Sequence, residues 1–324
     1  NLYHGSDKYS PEEIRQRYEY LLPIYVTRAM KELTDYEPDL VIEMDLTEAR
    51  RCMVGLAPLS QGKYFWMNNG SSGYGDYGFY RTKSMRTIIN QFAGIIPLEL
   101  FTYATYPHAN QNAQRYNINT TLISGHGFWG ALELTKPHER QRVGKAVAKA
   151  KRVLPYISQV EPKVIGKIGA SPEIYEIVDS SNSVGQVIGF SGSALHYEHK
   201  VQINPEKFLA VLNHSYSLNE SQLLLPFDFP MPDATREAFI LPNNGTDISI
   251  VSSTCWLDDV RLKSGVLEYE TGATGEQIIH WKGTTEPQIS SKAEIKSSIK
   301  KVGEKFLVLF STTGPAKIKI SKKH

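Results

Sequence analysis

The alternation of apolar and polar positions divides this chain into two unlike stretches. Near the start, "IRQRYEYLLPIYVTRAMKEL" predicts a helix. Ser10 can cap it, Pro11 suits the first helical position, and Glu13 completes a capping-box pattern. Pro23 is expected to kink or split it. "EPDLVIEMD" then predicts a strand that turns acidic at its end. With a period of two, Val41, Glu43 and Asp45 share one face and Leu40, Ile42 and Met44 the other. A second strand, "KYFWM", leads into a polar loop, and "RTKSMRTIINQFAG" predicts a helix stopped at Gly94. "IIPLELFTY" predicts a further strand, and "HANQNAQRYNINTTLISG" a loop and short helix. "KPHERQRVGKAVAKAKRVLPY" predicts a longer helix, with Pro137 near its start and Pro155 just past its end.

Strands that alternate with helices through about residue 155 imply parallel βα units. Beyond Tyr156 the language changes to short strands at regular spacing, separated by Gly, Asn and Asp turns: "EIYEIV", "GQVIGFSG", "KFLAVLNHS", "TDISIVSS", "GVLEYET", "EQIIHWKG" and "KFLVLFSTT". The expected fold class is therefore α/β followed by all-β. Residues 1–155 form the second half of a (β/α)8 TIM barrel, and residues 156–324 form an antiparallel β-sandwich region of one or two domains, with a break near 240–260.

Composition narrows the partners. The 36 basic and 34 acidic residues leave a formal charge of +2, which argues against nucleic acid. The Lys-rich "SKAEIKSSIKKVGEK" and "KIKISKKH" read as a solvated edge. No apolar run is long enough to span a bilayer, so no membrane partner is expected. Compartment stays open between cytoplasmic and secreted. Two cysteines, Cys52 and Cys255, offer no disulfide framework, and nine scattered histidines offer no metal site. Asn69, Asn119, Asn213, Asn219 and Asn244 open N-x-S/T triplets. The first residue, Asn1, opens mid-phrase, as a processed or partial chain would.

Two motifs are deceptive. "GHGFWG" matches G-x-G-x-x-G, but bulky residues fill its variable places and no helix follows at once, so no dinucleotide is expected. "GFSGS" around Ser191 lacks the last Gly of a nucleophile elbow and lies in β context.

The stronger chemistry lies at the strand ends, where a parallel barrel builds its site. Glu43 and Asp45 end one strand and precede Arg50 and Arg51. The next, "KYFWM", carries Trp66 and runs into "MNNGSSGYGDYGFYR", which holds Asn68, Asn69, Tyr74 and a single acid, Asp76. Tyr103, Tyr106 and His108 follow the third. Carboxylates, planar amides and aromatic rings suit the hydroxyls and ring faces of a carbohydrate, whereas a phosphate site would show Gly-rich turns with Lys or Arg.

Residues from about 10 to 195 resemble the later half of melibiase-type α-galactosidases, glycoside hydrolase family thirty-six of clan D. "EPDLVIEMDLTEARR" is similar to that family's strand, acid and Arg-closed turn, although the turn's usual Cys-Ser-Gly-Gly is absent. "YFWMNNGSSGYGDYGFYRTKSMRTIINQFAGIIP" is similar to the acid/base loop and following helix. "YPHANQNAQRYNINTTLISGHGFWGALEL" follows the family's order of a His loop, an Arg-bearing helix and a Gly-aromatic-Glu-Leu phrase. The resemblance implies a cofactor-free retaining glycosidase with Asp76 as acid/base. Glu43, Asp45, Arg50, Arg51, Trp66, Asn68, Asn69, Tyr74 and His108 would contact substrate, and Asp45 is an alternative nucleophile. The family's nucleophile strand precedes the first helix. The resemblance thus implies a partner for the barrel: an upstream segment, a second chain or another copy. The alternative is a non-catalytic carbohydrate-binding or scaffold protein on the same fold.

Overall fold

A computed structural model of the protein describes residues 9–45, 60–61, 64–66, 79–92, 94–95, 97, 101–102, 111–123, 135–243 and 248–322. Helix α1, Pro11–Tyr36, begins as its sequence dictates. The Ser10 hydroxyl accepts from the Glu13 amide at 3.3 Å, and the Glu13 carboxylate takes the Ser10 amide at 2.8 Å. Pro23 does not split it. The helix runs unbroken past the proline, and the Thr27 hydroxyl donates to the Pro23 carbonyl at 2.6 Å. Among its described apolar residues only Met30 is buried, whereas Tyr20, Tyr25, Leu33 and Tyr36 stay exposed.

Three short strands follow: β1 (Glu43–Asp45), β2 (Tyr64–Trp66) and β3 (Phe101–Thr102). They form one parallel sheet in chain order, with β2 in the middle. Helix α2 (Phe79–Phe92) lies between β2 and β3 in sequence, as the alternating pattern predicts. Gly94 follows α2 at φ +78°, a left-handed position that ends a helix cheaply only in glycine. Helices α3 (Gln111–Ile123) and α4 (Pro137–Ile157) come next. Pro155 sits inside the last turn of α4 rather than beyond it, which moves the expected boundary by about one half-turn.

The remainder is antiparallel. Strands β4 (Lys163–Ile165), β5 (Glu173–Asp179), β6 (Val184–Ser191), β8 (Phe208–Leu212) and β11 (Ala234–Pro242) form a sheet in the order β4-β5-β6-β11-β8. A seven-stranded sheet joins β7 (Leu195–Gln202), β10 (Gln222–Phe229), β9 (Tyr216–Asn219), β12 (Ile248–Ser253), β15 (Gly275–Lys282), β18 (Lys305–Thr312) and β17 (Ile295–Val302), in that order. A third sheet orders β13 (Leu257–Lys263), β14 (Val266–Thr271), β19 (Ala316–Lys322) and β16 (Pro287–Ser291).

Layering explains the burial. The β6 sheet lies between α3 and α4 on one face and β10 on the other, so every residue of β6 is buried. Gly189 of β6 makes the second contact possible. A Cβ there would meet Ile174, Phe227 and Phe229 at 2.9 Å, so the two phenyl rings of β10 close directly onto the strand. On the helix face, Phe190 packs edge-on against Tyr116 of α3 at 5.0 Å and against Tyr175 of β5 at 6.1 Å.

The two Lys-rich segments separate here. Strand β17 is indeed an edge, with Lys296, Lys300 and Lys301 exposed, which discourages pairing with another chain. Strand β19 is instead interior to its sheet. Ala316, Ile318 and Ile320 alternate inward while Lys317 and Lys319 reach out to Glu270 and Glu268.

Candidate functional site

The parallel sheet brings two of the expected site residues, Asp45 and Trp66, together at the level of the backbone. In register, Asp45 pairs with Trp66, and Trp66 pairs with Thr102. These three are the last residues of their strands, so the C-terminal edge of the sheet carries Asp45 and Trp66 side by side. Glu43 pairs with Tyr64, two residues before that edge. Arg50, Arg51, Asn68, Asn69, Tyr74, Asp76 and His108 lie outside the described residues. The run that holds Asn68 to Asp76 follows Trp66 directly in sequence, and His108 follows Thr102 by six positions.

A buried ion pair fastens the helices to the β-region. Arg86 of α2 is fully buried, and its guanidinium donates to both Glu173 carboxylate oxygens of β5 at 2.6 and 3.1 Å. It also donates to Thr120 at 2.9 Å and to the Tyr116 hydroxyl at 2.6 Å. The Phe190 ring lies 3.9 Å beneath its carbon. Glu173 in turn receives the Tyr175 hydroxyl at 2.8 Å and the Gly169 amide at 2.9 Å. Burial alone disfavours the Arg86 charge, yet the Glu173 hydrogen bonds and charge outweigh it and hold the pKa above its ordinary value. Burial likewise pushes the Tyr116 hydroxyl up to about 12, so it stays protonated. Satisfied on all sides, this pair has no free valence for chemistry and acts as a clamp.

A second carboxylate, Glu237 of β11, is held the same way. Arg115 of α3 donates to it at 2.9, 3.0 and 3.2 Å, Asn119 at 2.7 Å and Asn213 at 3.2 Å. The Arg-bearing helix therefore delivers Arg115 to a β-strand carboxylate. Asn119, which opens one of the N-x-S/T triplets, is 1% exposed and bonded to Thr235 and Glu237. It cannot accept a glycan in the folded chain. Ser191 is also inert. It lies in β6 and donates to the Ser193 carbonyl at 2.7 Å. Sequence reading missed Glu173, Glu237 and Arg86, because single charges in strands and helices give no local signal of their distant partners. Among the described residues no cluster of His, Cys, Asp and Glu could hold a metal.

The sequence matches no protein-family model and no curated protein. Among solved structures, the chain is similar to a glycoside hydrolase family thirty-six α-galactosidase, AgaA of Geobacillus stearothermophilus, solved with raffinose. The TM-score is 0.53 and the identity 14%, over 74% of this chain and 33% of that one. It also aligns with a glycoside hydrolase family thirty-one dextranase of Flavobacterium johnsoniae, solved with glucose, at TM-score 0.40 and 10% identity over 96% of this chain and 49% of that one. The chain thus spans about a third of the first protein's length and half of the second's. No helix among the described residues is long and apolar enough to cross a membrane. The fold, mostly antiparallel sheets with a few helices, is glycosidase-like.

Proposed function

We propose that this chain is the acid/base part of a glycoside hydrolase that cleaves α-galactoside-like bonds with retention. The observation that carries the reading is the parallel edge on which Asp45, Trp66 and Thr102 sit in register, in a chain whose fold is similar to an α-galactosidase. In a parallel βα arrangement that edge is where catalytic groups gather. A retaining enzyme needs two carboxyl groups about 5–5.5 Å apart. Asp76 would protonate the departing glycosidic oxygen and then take a proton from the attacking water. Glu43, Asp45, Arg50, Arg51, Asn68, Asn69 and His108 would hold hydroxyls, with Trp66 and Tyr74 against the ring faces. Asp45 is the alternative nucleophile. No cofactor or metal has a part in this chemistry.

The barrel reading of residues 1–155 requires more strands beside β1 and β3. The exposed Tyr20, Tyr25 and Leu33 of α1 support a covering element there, whether an upstream segment, a second chain or another copy. Residues 156–324 fit two small β-domains, because β4 to β11 and β12 to β19 pair mainly among themselves, joined by the pairing of Ser217 and Tyr216 with Ser252 and Ser253 and by the packing of β8 on β12 and β13.

The test is hydrolysis of a chromogenic α-galactoside. Asp76→Asn should lower kcat by about 10²–10⁴-fold with little change in binding, the range for loss of a general acid. Unchanged turnover removes Asp76 from the mechanism. Binding without turnover in the parent chain would favour the non-catalytic alternative.

A further inference from the structure

A cavity of about 730 Å³ opens between α3, α4 and the turns that end β8, β12 and β14. That volume is within the range of small-molecule sites. The described lining comes from α3, α4 and the antiparallel strands with their turns. Its wall carries four groups whose chemistry the fold itself does not use.

Trp256 joins β12 to β13 and is 46% exposed. Its indole lies across Gly272, where an added Cβ would come within 1.9 Å of the ring. Glycine therefore seats one face of the ring and leaves the rest of it to the cavity. Arg236 of β11 is half-buried. Its guanidinium donates to the Thr235 carbonyl at 2.9 Å and makes no ion pair with a described residue. Burial first, and the nearby Arg115 charge second, lower its pKa. Further donors remain on that guanidinium.

His214 is the most telling. It is 5% exposed, and its Nε2 has no hydrogen-bond partner. The ring hydrogen-bonds the Pro226 backbone, and burial pulls its pKa down to about 4, so the imidazole is neutral and Nε2 is a bare acceptor. That atom is closed to solvent in the free chain, so a bound donor reaches it as the ring shifts toward the cavity. Asp228 of β10 adds an exposed carboxylate.

These groups discriminate among ligands. An apolar molecule would leave Arg236 and His214 unsatisfied. An anion would meet the carboxylates of Asp228 and Glu237 in the same wall. A neutral polyhydroxylated ring suits all four: hydroxyls donate to His214 and Asp228, a hydroxyl oxygen accepts from Arg236, and the C–H face lies on Trp256. We propose that this cavity is a saccharide-binding site in its own right, taking a mono- or disaccharide unit between Trp256, Arg236, His214 and Asp228. It shares a ligand class with the strand-end reading and none of its catalytic chemistry.

The test is calorimetric titration of the full chain in the Asp76→Asn background, with raffinose, cellobiose and maltotriose as probes and sodium sulfate as the anion control. At least one saccharide should bind, and Trp256→Ala should weaken that binding component about tenfold or more, since truncating an aromatic anchor removes its contact face. Trp256→Phe should restore part of it. Gly272→Ala, which leaves every polar group in place but displaces the indole, should weaken it as well. Saccharide binding unaffected by Trp256→Ala and Gly272→Ala overturns the proposal, as does binding of none of the three sugars. Sulfate binding lost in Arg236→Ala would make the cavity an anion site and equally overturns it. Turnover of the parent chain is scored separately. An inactive chain that keeps the Trp256-dependent isotherm sinks the hydrolase reading and leaves this one standing.

Discussion

Strand β6 and helix α1 treat their apolar residues in opposite ways. Strand β6 is enclosed on both faces, by α3 and α4 on one side and by Phe227 and Phe229 on the other. Helix α1, with 26 residues against 8, buries Met30 and leaves Tyr20, Tyr25, Leu33 and Tyr36 exposed. In the antiparallel region some strands return as hairpins, such as β5 with β6 and β13 with β14, others cross between sheets, and the stacked sheets share their core with α3 and α4. Helices α2 to α4 take part in that packing and bury Met85, Tyr116 and Val153, whereas α1 buries only Met30 among its described apolar residues. The contrast is therefore between elements packed against the β-region and one that is not.

The joint between the regions gives the sharpest way to break that contrast. Removing one partner of a buried ion pair strands the other charge, so Arg86→Met should cost about 3–5 kcal/mol in chemical denaturation. Glu173→Gln on that background should recover part of the loss, since no uncompensated carboxylate remains. If Arg86→Met costs less than about 1 kcal/mol, the helices are not fastened through this pair.

A slightly smaller effect comes from pH. The folded His214 pKa of about 4 lies below the ordinary 6.5. The unfolded chain therefore binds more protons in that window, and stability must fall as pH drops from about 6.5 to 4. The shift corresponds to about 3 kcal/mol over the window. His214→Asn keeps a donor for the Pro226 carbonyl but cannot titrate. Its stability curve should be flatter between those two pH values, and an identical slope would remove His214 as the cause.

The capping box of α1 is worth less. Ser10→Ala should cost about 1 kcal/mol of local helix stability, read by amide hydrogen exchange in the first turn of α1. No change there would mean that packing rather than the cap starts the helix. The smallest effect is the most diagnostic for the comparison. Tyr25→Ser on the exposed face should change the stability of the isolated chain by less than about 0.5 kcal/mol. A larger loss would show that the α1 face is already covered by another copy.

Much of this protein was written in local chemistry. Ser10, Pro11 and Glu13 set the start of α1, Gly94 follows the end of α2, and the strands around Ile174, Val187, Leu209, Ile250 and Val308 were readable as short apolar runs between turns. Strands β10, β13, β17 and β19 were not. Pro226 lies within the first, and charge dominates the others, so their membership depends on neighbours rather than on their own residues. The alternation of strand and helix also placed Asp45 at the end of one strand and Trp66 within the next, and these two positions pair in the parallel register. What sequence could not decide is which charges meet. Arg86 and Glu173 are 87 residues apart, and Arg115 and Glu237 are 122 apart. Nothing local marks either pair. Only the layering of helices on the β6 sheet takes these groups out of water, and removal from water is what forces each charge to find its partner. The same holds for Gly272 beneath Trp256: a glycine in a turn by sequence, and by tertiary structure the seat of an indole.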